Sequence, residues 1–345
     1  MNKQVLLNLN PNQVRQTLEH IGEAQNIVIT AHQNPDGDAL GSSLGLYHIL
    51  KAAGKNCVCV LPDAFPHFLA WMPGINDIVI FESDKEKANA LLTNANLIFC
   101  LDYNAPDRTG TAMGEAIKAA KGYKIMIDHH PDPQAFCDLT INEPADCSTA
   151  QLIYRFIATL GYENQIQKNA ATCLYTGIMT DTGSFRYPST TAVTHYVVAK
   201  LIEAGADNGQ IHINVYDTNT ESKLRLTGYA LTQKLVVLKE HATAYFVLTI
   251  KELKDFNYQK GDTEGLVNYG LSLEGIKMAA IFMETEDLVK ISFRSKGNVP
   301  VNEFMGKNFS GGGHKNAAGG RSNKGLDVTI QHFLSLIPSF MAPYK

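Results

Sequence analysis

The feature that most constrains the fold is a regular alternation of short apolar runs with helical stretches in the first 130 residues. The runs that predict buried strands span 26–31, 56–61, 78–81, 96–101 and 123–127. The stretches with helical spacing between them span 38–53, 85–92 and 113–120. Strands that alternate with helices form parallel sheets covered by helices on both faces. The sequence therefore predicts an α/β fold with a parallel sheet.

The second half of the chain has a different pattern. Helices predominate from Ser148 to about Gln233, and strands return after Lys234. The later predicted strands span 235–238, 245–249, 277–283 and 289–293, and the last two form an antiparallel hairpin. We therefore expect a first domain over 1–190, a helical linker over 191–230 and a smaller α/β domain over 231–345.

Bulk composition narrows the class of protein. A chain of 345 residues with 45% hydrophobic and 19% charged residues is long enough for two globular domains. No apolar run approaches 18 residues, and Met1 to Asn10 lacks the apolar core of a signal peptide. The six cysteines form no CxxC pair, which is typical of free thiols in a reducing compartment. We expect a cytoplasmic protein that does not bind membranes.

Acidic and imidazole side chains cluster where the predicted strands end. The residues that form these clusters are His32, Asp36, Asp38, Asp102, Asp128, His129, His130 and, in the helical half, Asp181. The carboxyl ends of parallel strands meet at one edge of a sheet, so we expect these side chains to converge. Neighbouring carboxylates repel one another unless cations neutralise them, and carboxylate with imidazole suits Mn²⁺ or Mg²⁺. The clusters therefore predict a polynuclear metal centre.

A basic stretch near the C-terminus predicts a site for anions. Between Leu288 and Lys324 there are seven Lys or Arg residues and one acid, Glu303, in a chain of net charge −4. Arg294 can bind a phosphate through two donors. The run Gly311-Gly312-Gly313-His314 offers unobstructed backbone N–H groups at a predicted helix start, and His314 adds a donor.

The order of these motifs resembles the DHH phosphoesterase superfamily. The resemblance rests on His32-x-x-Pro35-Asp36-Gly37-Asp38, on Asp102, on Asp128-His129-His130 and on Asp181-Thr182-Gly183-x-Phe185. Phe293-Arg294-Ser295, the run Gly311 to His314 and Ala317-Ala318-Gly319-Gly320 resemble the DHH-associated domain. The resemblance covers nearly the whole chain in the correct order. It implies a parallel-sheet DHH domain, a helical linker and a C-terminal DHH-associated domain.

The resemblance also implies a role for each motif residue. It implies two divalent cations, with Mn²⁺ expected and Mg²⁺ or Co²⁺ as alternatives. His32 and Asp36 would hold the first ion; Asp38, His129 and Asp181 would hold the second; and Asp102 would bridge both. Asp128 would orient an imidazole, and His130 would contact the scissile phosphate. The residues expected to bind substrate are Arg294, Gly311, Gly312, Gly313 and His314.

Within the superfamily, the chain resembles the nanoRNase type. Such an enzyme would cut short RNA oligonucleotides to mononucleotides and 3′-phosphoadenosine 5′-phosphate to AMP, by attack of a metal-bridging hydroxide. We expect short single-stranded RNA or phosphorylated nucleotides as partners rather than long duplexes. The alternatives are an exopolyphosphatase or pyrophosphatase-like hydrolase, a cyclic or linear di-AMP phosphodiesterase, and an inert nucleotide-binding protein. Substrate preference, cleavage polarity, base preference and oligomeric state stay open.

Overall fold

The chain forms two compact units in a computed structural model that describes residues 5–344. The first unit runs to Thr218 and the second starts at Asn219. Within the described residues, no helix combines the length and the apolar character needed to cross a membrane.

A six-stranded sheet forms the centre of the first unit. Its strands are β1 (Ile27–Thr30), β2 (Cys57–Leu61), β3 (Val79–Ile80), β4 (Leu97–Leu101), β5 (Tyr123–Asp128) and β6 (Leu139–Asn142). All neighbouring strands are parallel, in the order β3-β2-β1-β4-β5-β6. The predicted parallel sheet is confirmed, with β6 as an additional edge strand. This strand alternates the buried Leu139 and Ile141 with Thr140 and Asn142, so it lacks the continuous apolar run by which the other strands are predicted.

Helices cover both faces of this sheet, because alternate residues of each strand point to opposite sides. The helices of the first unit are α1 (Pro11–Glu23), α2 (Gly37–Ala52), α3 (Lys85–Asn94), α4 (Thr111–Ala119), α5 (Thr149–Thr159), α6 (Lys168–Asp181), α7 (Ala192–Glu203) and α8 (Asn208–Tyr216). Ile29 and Phe99 pack in one core with residues of α2, α5 and α6. Val28 and Ile98 pack in a second core with residues of α3 and α4.

The first unit extends further along the chain than the predicted first domain. Val197 and Leu201 of α7 are buried in the same core as α2 and α6, and so are Ile211 and Val215 of α8. These two helices lie within the predicted linker over 191–230. Their apolar faces are covered by the first unit, so they belong to its compact body.

The second unit contains a mixed six-stranded sheet. Its elements are α9 (Glu221–Tyr229), β7 (Leu235–Leu238), β8 (Thr243–Leu248), α10 (Ile250–Asp255), α11 (Leu266–Ser272), β9 (Met278–Glu284), β10 (Val289–Ser295), α12 (Val301–Asn308), β11 (Ser310–His314), β12 (Ala317–Ser322) and α13 (Leu326–Met341). The strand order is β11-β12-β10-β9-β8-β7, and only β8 and β9 run parallel. The predicted hairpin is the pair β9 and β10.

The predicted helix start at Gly311 to His314 is wrong, because these residues form the edge strand β11. The strand pairs antiparallel with β12 through the two-residue connection Lys315-Asn316. A Cβ at Gly311 would overlap the backbone of Gly319 and Gly320, and Gly313 has a φ of 141°. The glycines therefore allow two strands to approach closely, and they do not begin a helix.

Candidate metal centre

The predicted metal-site residues lie at the carboxyl edge of the first sheet, beside the point where the strand order reverses between β1 and β4. Open parallel sheets place their ligand crevice at such a point, because the loops that leave the two strands diverge there. His32 follows β1, Asp102 follows β4, and His129 follows β5. Asp38 lies in the first turn of α2, and Asp181 is the last residue of α6.

His32, Asp36 and Asp102 form one group. The His32 Nε2 atom lies 3.3 Å from Asp102 Oδ2 and 3.9 Å from Asp36 Oδ1. Asp36 is also the N-cap of α2, because its Oδ1 accepts the backbone N–H groups of Asp38 and Ala39. One ligand atom from each of the three residues lies within 4.8 Å of the other two, which is close enough for a single cation.

Asp38, His129 and Asp181 form a second group of the same kind. The His129 Nε2 atom lies 3.5 Å from Asp181 Oδ2 and 3.8 Å from Asp38 Oδ2. The carboxylate of Asp102 adjoins both groups, because its Oδ1 lies 3.6 Å from His129 Nε2 while its Oδ2 faces His32. The arrangement therefore offers two adjacent cation positions with one shared carboxylate.

Hydrogen bonds fix which nitrogen of each imidazole faces the carboxylates. His32 Nδ1 lies 2.8 Å from the carbonyl oxygen of Gln33, and His129 Nδ1 lies 3.2 Å from that of Asp146. A carbonyl oxygen can only accept, so in both rings Nδ1 carries the proton and donates. In the neutral form of each ring the lone pair is then on Nε2, on the side of the carboxylates, which is the orientation of a metal ligand.

The N-terminus of α5 holds Asp38 and Asp102 in place. The backbone N–H groups of Thr149 and Ala150 donate to the two carboxylate oxygens of Asp38 at 2.6 and 2.9 Å. The Thr149 hydroxyl donates to Asp102 Oδ1 at 2.9 Å. Helix N-termini favour negative charge, so this contact orients two buried carboxylates that would otherwise repel each other.

Close packing of α2 against α6 sets the spacing between Asp38 and Asp181. A Cβ at Gly41 would lie 2.7 Å from the Cys173 carbonyl oxygen and from the backbone of Gly177. A Cβ at Gly177 would lie 3.0 Å from Asp38 Oδ1. The two helices can approach this closely only because both positions lack a side chain.

His130 has a different partner from the other two histidines. Its Nδ1 donates to Asp128 Oδ1 at 2.8 Å, and it lies 3.7 Å from Asp102 Oδ1. Asp128 is fully buried at the end of β5. Asp128 therefore orients His130, as expected for a carboxylate that supports an imidazole.

Burial and the crowding of charges shift several pKa values in the metal-free site. Burial disfavours the charged form of His32, but the hydrogen bond to Asp102 and the charges of Asp36 and Asp102 outweigh it and raise its pKa to about 9. Burial, with the charges of Asp36 and Asp102, raises the pKa of Asp181 to about 7 despite the opposing charge of His129. Burial and the neighbouring carboxylates also raise the pKa of Asp38 well above its usual range. Burial would raise the pKa of Asp102 as well, but the His32 hydrogen bond and three nearby imidazoles hold it below its usual range.

These residues fit divalent cations. All six expected ligands are carboxylate or imidazole donors. Five of them belong to buried or half-buried residues, and the sixth, Asp36, is largely exposed. Burial is the largest cause of the raised pKa values of Asp38 and Asp181, and the charges of Asp36 and Asp102 add to it, so positive charge at the site would stabilise both carboxylates. The residues that would hold one ion are His32, Asp36 and Asp102, and those that would hold the other are Asp38, His129, Asp181 and Asp102.

Comparison with known proteins identifies the family. Residues 26–178 match the DHH family N-terminal domain, and residues 242–342 match the DHHA1 domain. The chain is 34% identical over 303 residues to the bifunctional oligoribonuclease and PAP phosphatase NrnA of Thermus thermophilus. The matched region covers 88% of this chain and 85% of that protein. The chain belongs to the DHH phosphoesterase family. It is therefore a metal-dependent hydrolase of phosphoester bonds.

Two further relatives are similar over most of their length. The NrnA of Bacillus subtilis is 28% identical over 302 residues, with 85% of this chain and 88% of that protein covered. A crystal structure of an exopolyphosphatase-related protein from Bacteroides fragilis is 39% identical, with a TM-score of 0.93 over 97% of this chain and 98% of that chain. The expected assignment to the DHH and DHH-associated domains is confirmed.

The DHHA1 domain carries the residues that the sequence predicts for substrate binding. Arg294 is half-buried on β10, and its Nη1 donates to the carbonyl oxygen of Phe293 at 3.0 Å. Gly311, Gly312 and Gly313 form β11, and His314 ends it. Because β11 is an edge strand, one row of its backbone groups has no partner strand in the sheet.

Sequence reasoning missed the residues that orient the expected metal ligands. Thr149 lies 47 positions from Asp102 in sequence, and the helix N-terminus that binds Asp38 lies 111 positions from it. Ser148 is a common N-cap residue, and its side chain accepts the Gln151 N–H as expected. That signal locates the start of α5, but it does not reveal which carboxylate the helix binds.

Proposed function

We propose that the chain hydrolyses short RNA oligonucleotides to mononucleotides and 3′-phosphoadenosine 5′-phosphate to AMP. The observation that carries the proposal is the pair of carboxylate–imidazole groups that adjoin the single carboxylate of Asp102. Two-metal phosphoesterase sites have this form, with ions about 3.5–4 Å apart. The substrate class is supported by the relatives named as oligoribonucleases and PAP phosphatases, which cover most of the chain.

The proposed cofactor is a pair of divalent cations, with Mn²⁺ preferred over Mg²⁺ or Co²⁺. A donor set of carboxylates with two imidazoles and no thiolate favours these ions over softer ones. Such ions supply Lewis-acid chemistry and lower the pKa of water. Once deprotonated, Asp38, Asp102 and Asp181 would supply negative charge to the ions, and the Nδ1 hydrogen bonds would leave Nε2 of the neutral His32 and His129 rings available.

We assign substrate contacts to the remaining motif residues. His130, oriented by Asp128, would donate a hydrogen bond to a phosphate oxygen. Burial disfavours the charged ring, but the hydrogen bond to Asp128 and the charges of Asp102 and Asp128 outweigh it and raise the pKa of His130 in the metal-free site. Arg294 would bind a phosphate of the nucleotide through its guanidinium, with the edge strand β11 and His314 beside it.

We place this activity in the cytoplasm and on single-stranded substrates. All six cysteines are free thiols in the structure, which suits a reducing compartment. The competing proposal is polyphosphate or pyrophosphate hydrolysis, which is favoured by the description of the Bacteroides fragilis structure as exopolyphosphatase-related.

The deciding experiment compares Mn²⁺-dependent turnover of five substrates. They are a 5′-phosphorylated RNA dinucleotide, 3′-phosphoadenosine 5′-phosphate, cyclic di-AMP, pyrophosphate and polyphosphate. We expect mononucleotide from the first and AMP from the second, with both activities lost in Asp102→Asn. Turnover of pyrophosphate or polyphosphate alone would overturn the nucleotide assignment. Arg294→Ala should raise KM for both nucleotide substrates, and unchanged kinetics would remove Arg294 from the substrate site.

A further inference from the structure

The strand pairing shows which basic side chains between Leu288 and Lys324 lie on the same face of the sheet. Residues on β10 alternate between the buried core and an outer face, which carries Lys290, Ser292 and Arg294. The register pairs Lys290 with Arg321 of β12. Directly paired residues of antiparallel strands have their side chains on the same face, so Arg321 shares the face of Lys290.

The same register shows which residues lie between the basic side chains of Lys290 and Arg294. Ser292 pairs with Gly319, and Gly319 pairs with Gly312 of β11. A Cβ at either glycine would meet no atom within 4 Å, so the space above this part of the sheet is open. The outer face therefore has two basic ends, Lys290 with Arg321 and Arg294 with His314, and an uncharged floor between them.

Among residues 5–344, no carboxylate forms an ion pair with Lys290 or Arg321. Both side chains are exposed, and neither makes an ion pair or side-chain hydrogen bond with any residue in the 5–344 range that the structure describes. Like charges directly opposite each other on a sheet destabilise it. Glu303, the one acid in this stretch of sequence, lies on α12, which packs beside Phe293 in the core on the opposite face. An anion bound between Lys290 and Arg321 would relieve their repulsion.

The distance between the two basic ends favours a nucleotide chain. Lys290 and Arg294 are four residues apart on one strand, which corresponds to about 13 Å. At that separation the two ends can contact separate phosphates. Polyphosphate carries charge along its whole length and would leave its middle over the uncharged floor, whereas an oligonucleotide separates its phosphates with neutral sugars.

We propose that Lys290 and Arg321 form a second phosphate subsite, which binds the backbone of an oligonucleotide beyond its first two nucleotides. The inference rests on the proposed function and adds a determinant of substrate length. The substrate class is a short single-stranded oligonucleotide of three or more residues. Dinucleotides and 3′-phosphoadenosine 5′-phosphate are too short to need this subsite.

The test uses the full chain with Lys290→Ala and Arg321→Ala combined. The control, Lys239→Ala with Lys307→Ala, removes the same charge from the turn after β7 at the other sheet edge and from α12. Binding of a fluorescent RNA tetranucleotide and dinucleotide is measured in EDTA at several salt concentrations. Turnover of both, and of 3′-phosphoadenosine 5′-phosphate, is measured with Mn²⁺.

We expect the Lys290/Arg321 variant to bind the tetranucleotide roughly tenfold more weakly and with a smaller salt dependence, because two phosphate contacts are lost. Dinucleotide binding and both short-substrate activities should stay within about twofold of the unmodified protein, and the control should resemble it throughout. Equal weakening of tetranucleotide and dinucleotide binding would show general electrostatic attraction and overturn the subsite. An unchanged tetranucleotide affinity would do the same. If the unmodified protein cleaves no nucleotide, the proposed function fails, while the binding comparison still tests the subsite.

Discussion

Gly41→Ala tests whether the contact between α2 and α6 sets the geometry of the metal centre. The added Cβ would lie 2.7 Å from backbone atoms of Cys173 and Gly177, and backbone atoms cannot rotate away. Ordinary contact begins near 3.4 Å, so the two helices must separate by about 0.7 Å. Asp38 lies on α2 and Asp181 on α6, so the same movement would separate two expected ligands of one ion.

Two opposing effects determine how Gly41→Ala changes the free energy of unfolding. Overpacking of this kind destabilises by about 1–3 kcal/mol, and replacing a helical glycine by alanine returns about 0.5–1 kcal/mol. The net loss is then about 0–2.5 kcal/mol, centred just above 1 kcal/mol, and each kcal/mol lowers the Tm of a unit of this size by about 2–4 °C. Metal–ligand distances vary by only about 0.2 Å between sites, which is less than the expected helix separation, so Mn²⁺ affinity should fall by roughly tenfold or more.

Thermal unfolding with and without Mn²⁺ measures both effects. Gly22→Ala is the matched control, because Gly22 lies in α1 and a Cβ there would meet no atom within 4 Å. We expect Gly22→Ala to keep or slightly raise Tm and to keep the full Mn²⁺-induced increase. Gly41→Ala should lower Tm and reduce that increase. If it matched Gly22→Ala in both respects, close helix packing would not control the metal centre.

Three further changes test the site. Asp102→Asn should reduce turnover by roughly 100-fold or more and weaken Mn²⁺ binding while the protein stays folded, because asparagine tolerates the φ of 63° at this position; activity above a tenth of the original would remove Asp102 from the centre. Thr149→Val should lower kcat by about 10- to 100-fold, because the hydroxyl that orients Asp102 is lost, and Thr149→Ser should restore it. Mn²⁺ binding should tighten from pH 6 to about 9 and release protons, because in the metal-free site His32 holds a proton up to about pH 9 and Asp181 up to about pH 7. Calorimetry in buffers of different ionisation enthalpy measures the released protons. Binding that does not depend on pH would contradict this prediction.

The same pKa values determine how the stability of the metal-free protein depends on pH. The pKa of Asp181 is raised from 3.8 to about 7, so its contribution to stability is full below pH 3.8 and is lost as pH rises through 7. The pKa of His32 is raised from 6.5 to about 9, so its contribution is full below pH 6.5 and is lost as pH rises through 9. Metal binding should therefore stabilise the protein most at high pH, where the unfilled carboxylates repel one another most strongly.

Much of the fold could be predicted from sequence because the signals are local. Each central strand is a short apolar run with a helical stretch beside it, and β1, β2, β4 and β5 appear where those runs lie. Strand β6 alternates two buried apolar residues with two polar ones at the edge of the sheet, so it has no continuous apolar run to indicate it. The glycine run at 311–313 fits a helix start as well as a strand, because the sequence shows that side chains are absent but not what their absence allows. Their absence allows close strand pairing, which depends on β12.

Some residues of the candidate site can likewise be predicted from sequence, and others cannot. Polar residues directly after strands could be found, because strand ends converge wherever the sheet is parallel. The residues that orient them could not, because those contacts join distant parts of the chain. Asp38 receives its two N–H donors from a helix that starts more than 100 residues later, and its distance from Asp181 depends on the fit of Gly41 against Gly177. A sequence can show that a carboxylate lies at a strand end or helix start, but the donors and packing that hold it at a metal–ligand distance arise only from the tertiary structure. The variants of Gly41 and Thr149 therefore test the part of the site that sequence could not supply, while Asp102→Asn tests the part that it could.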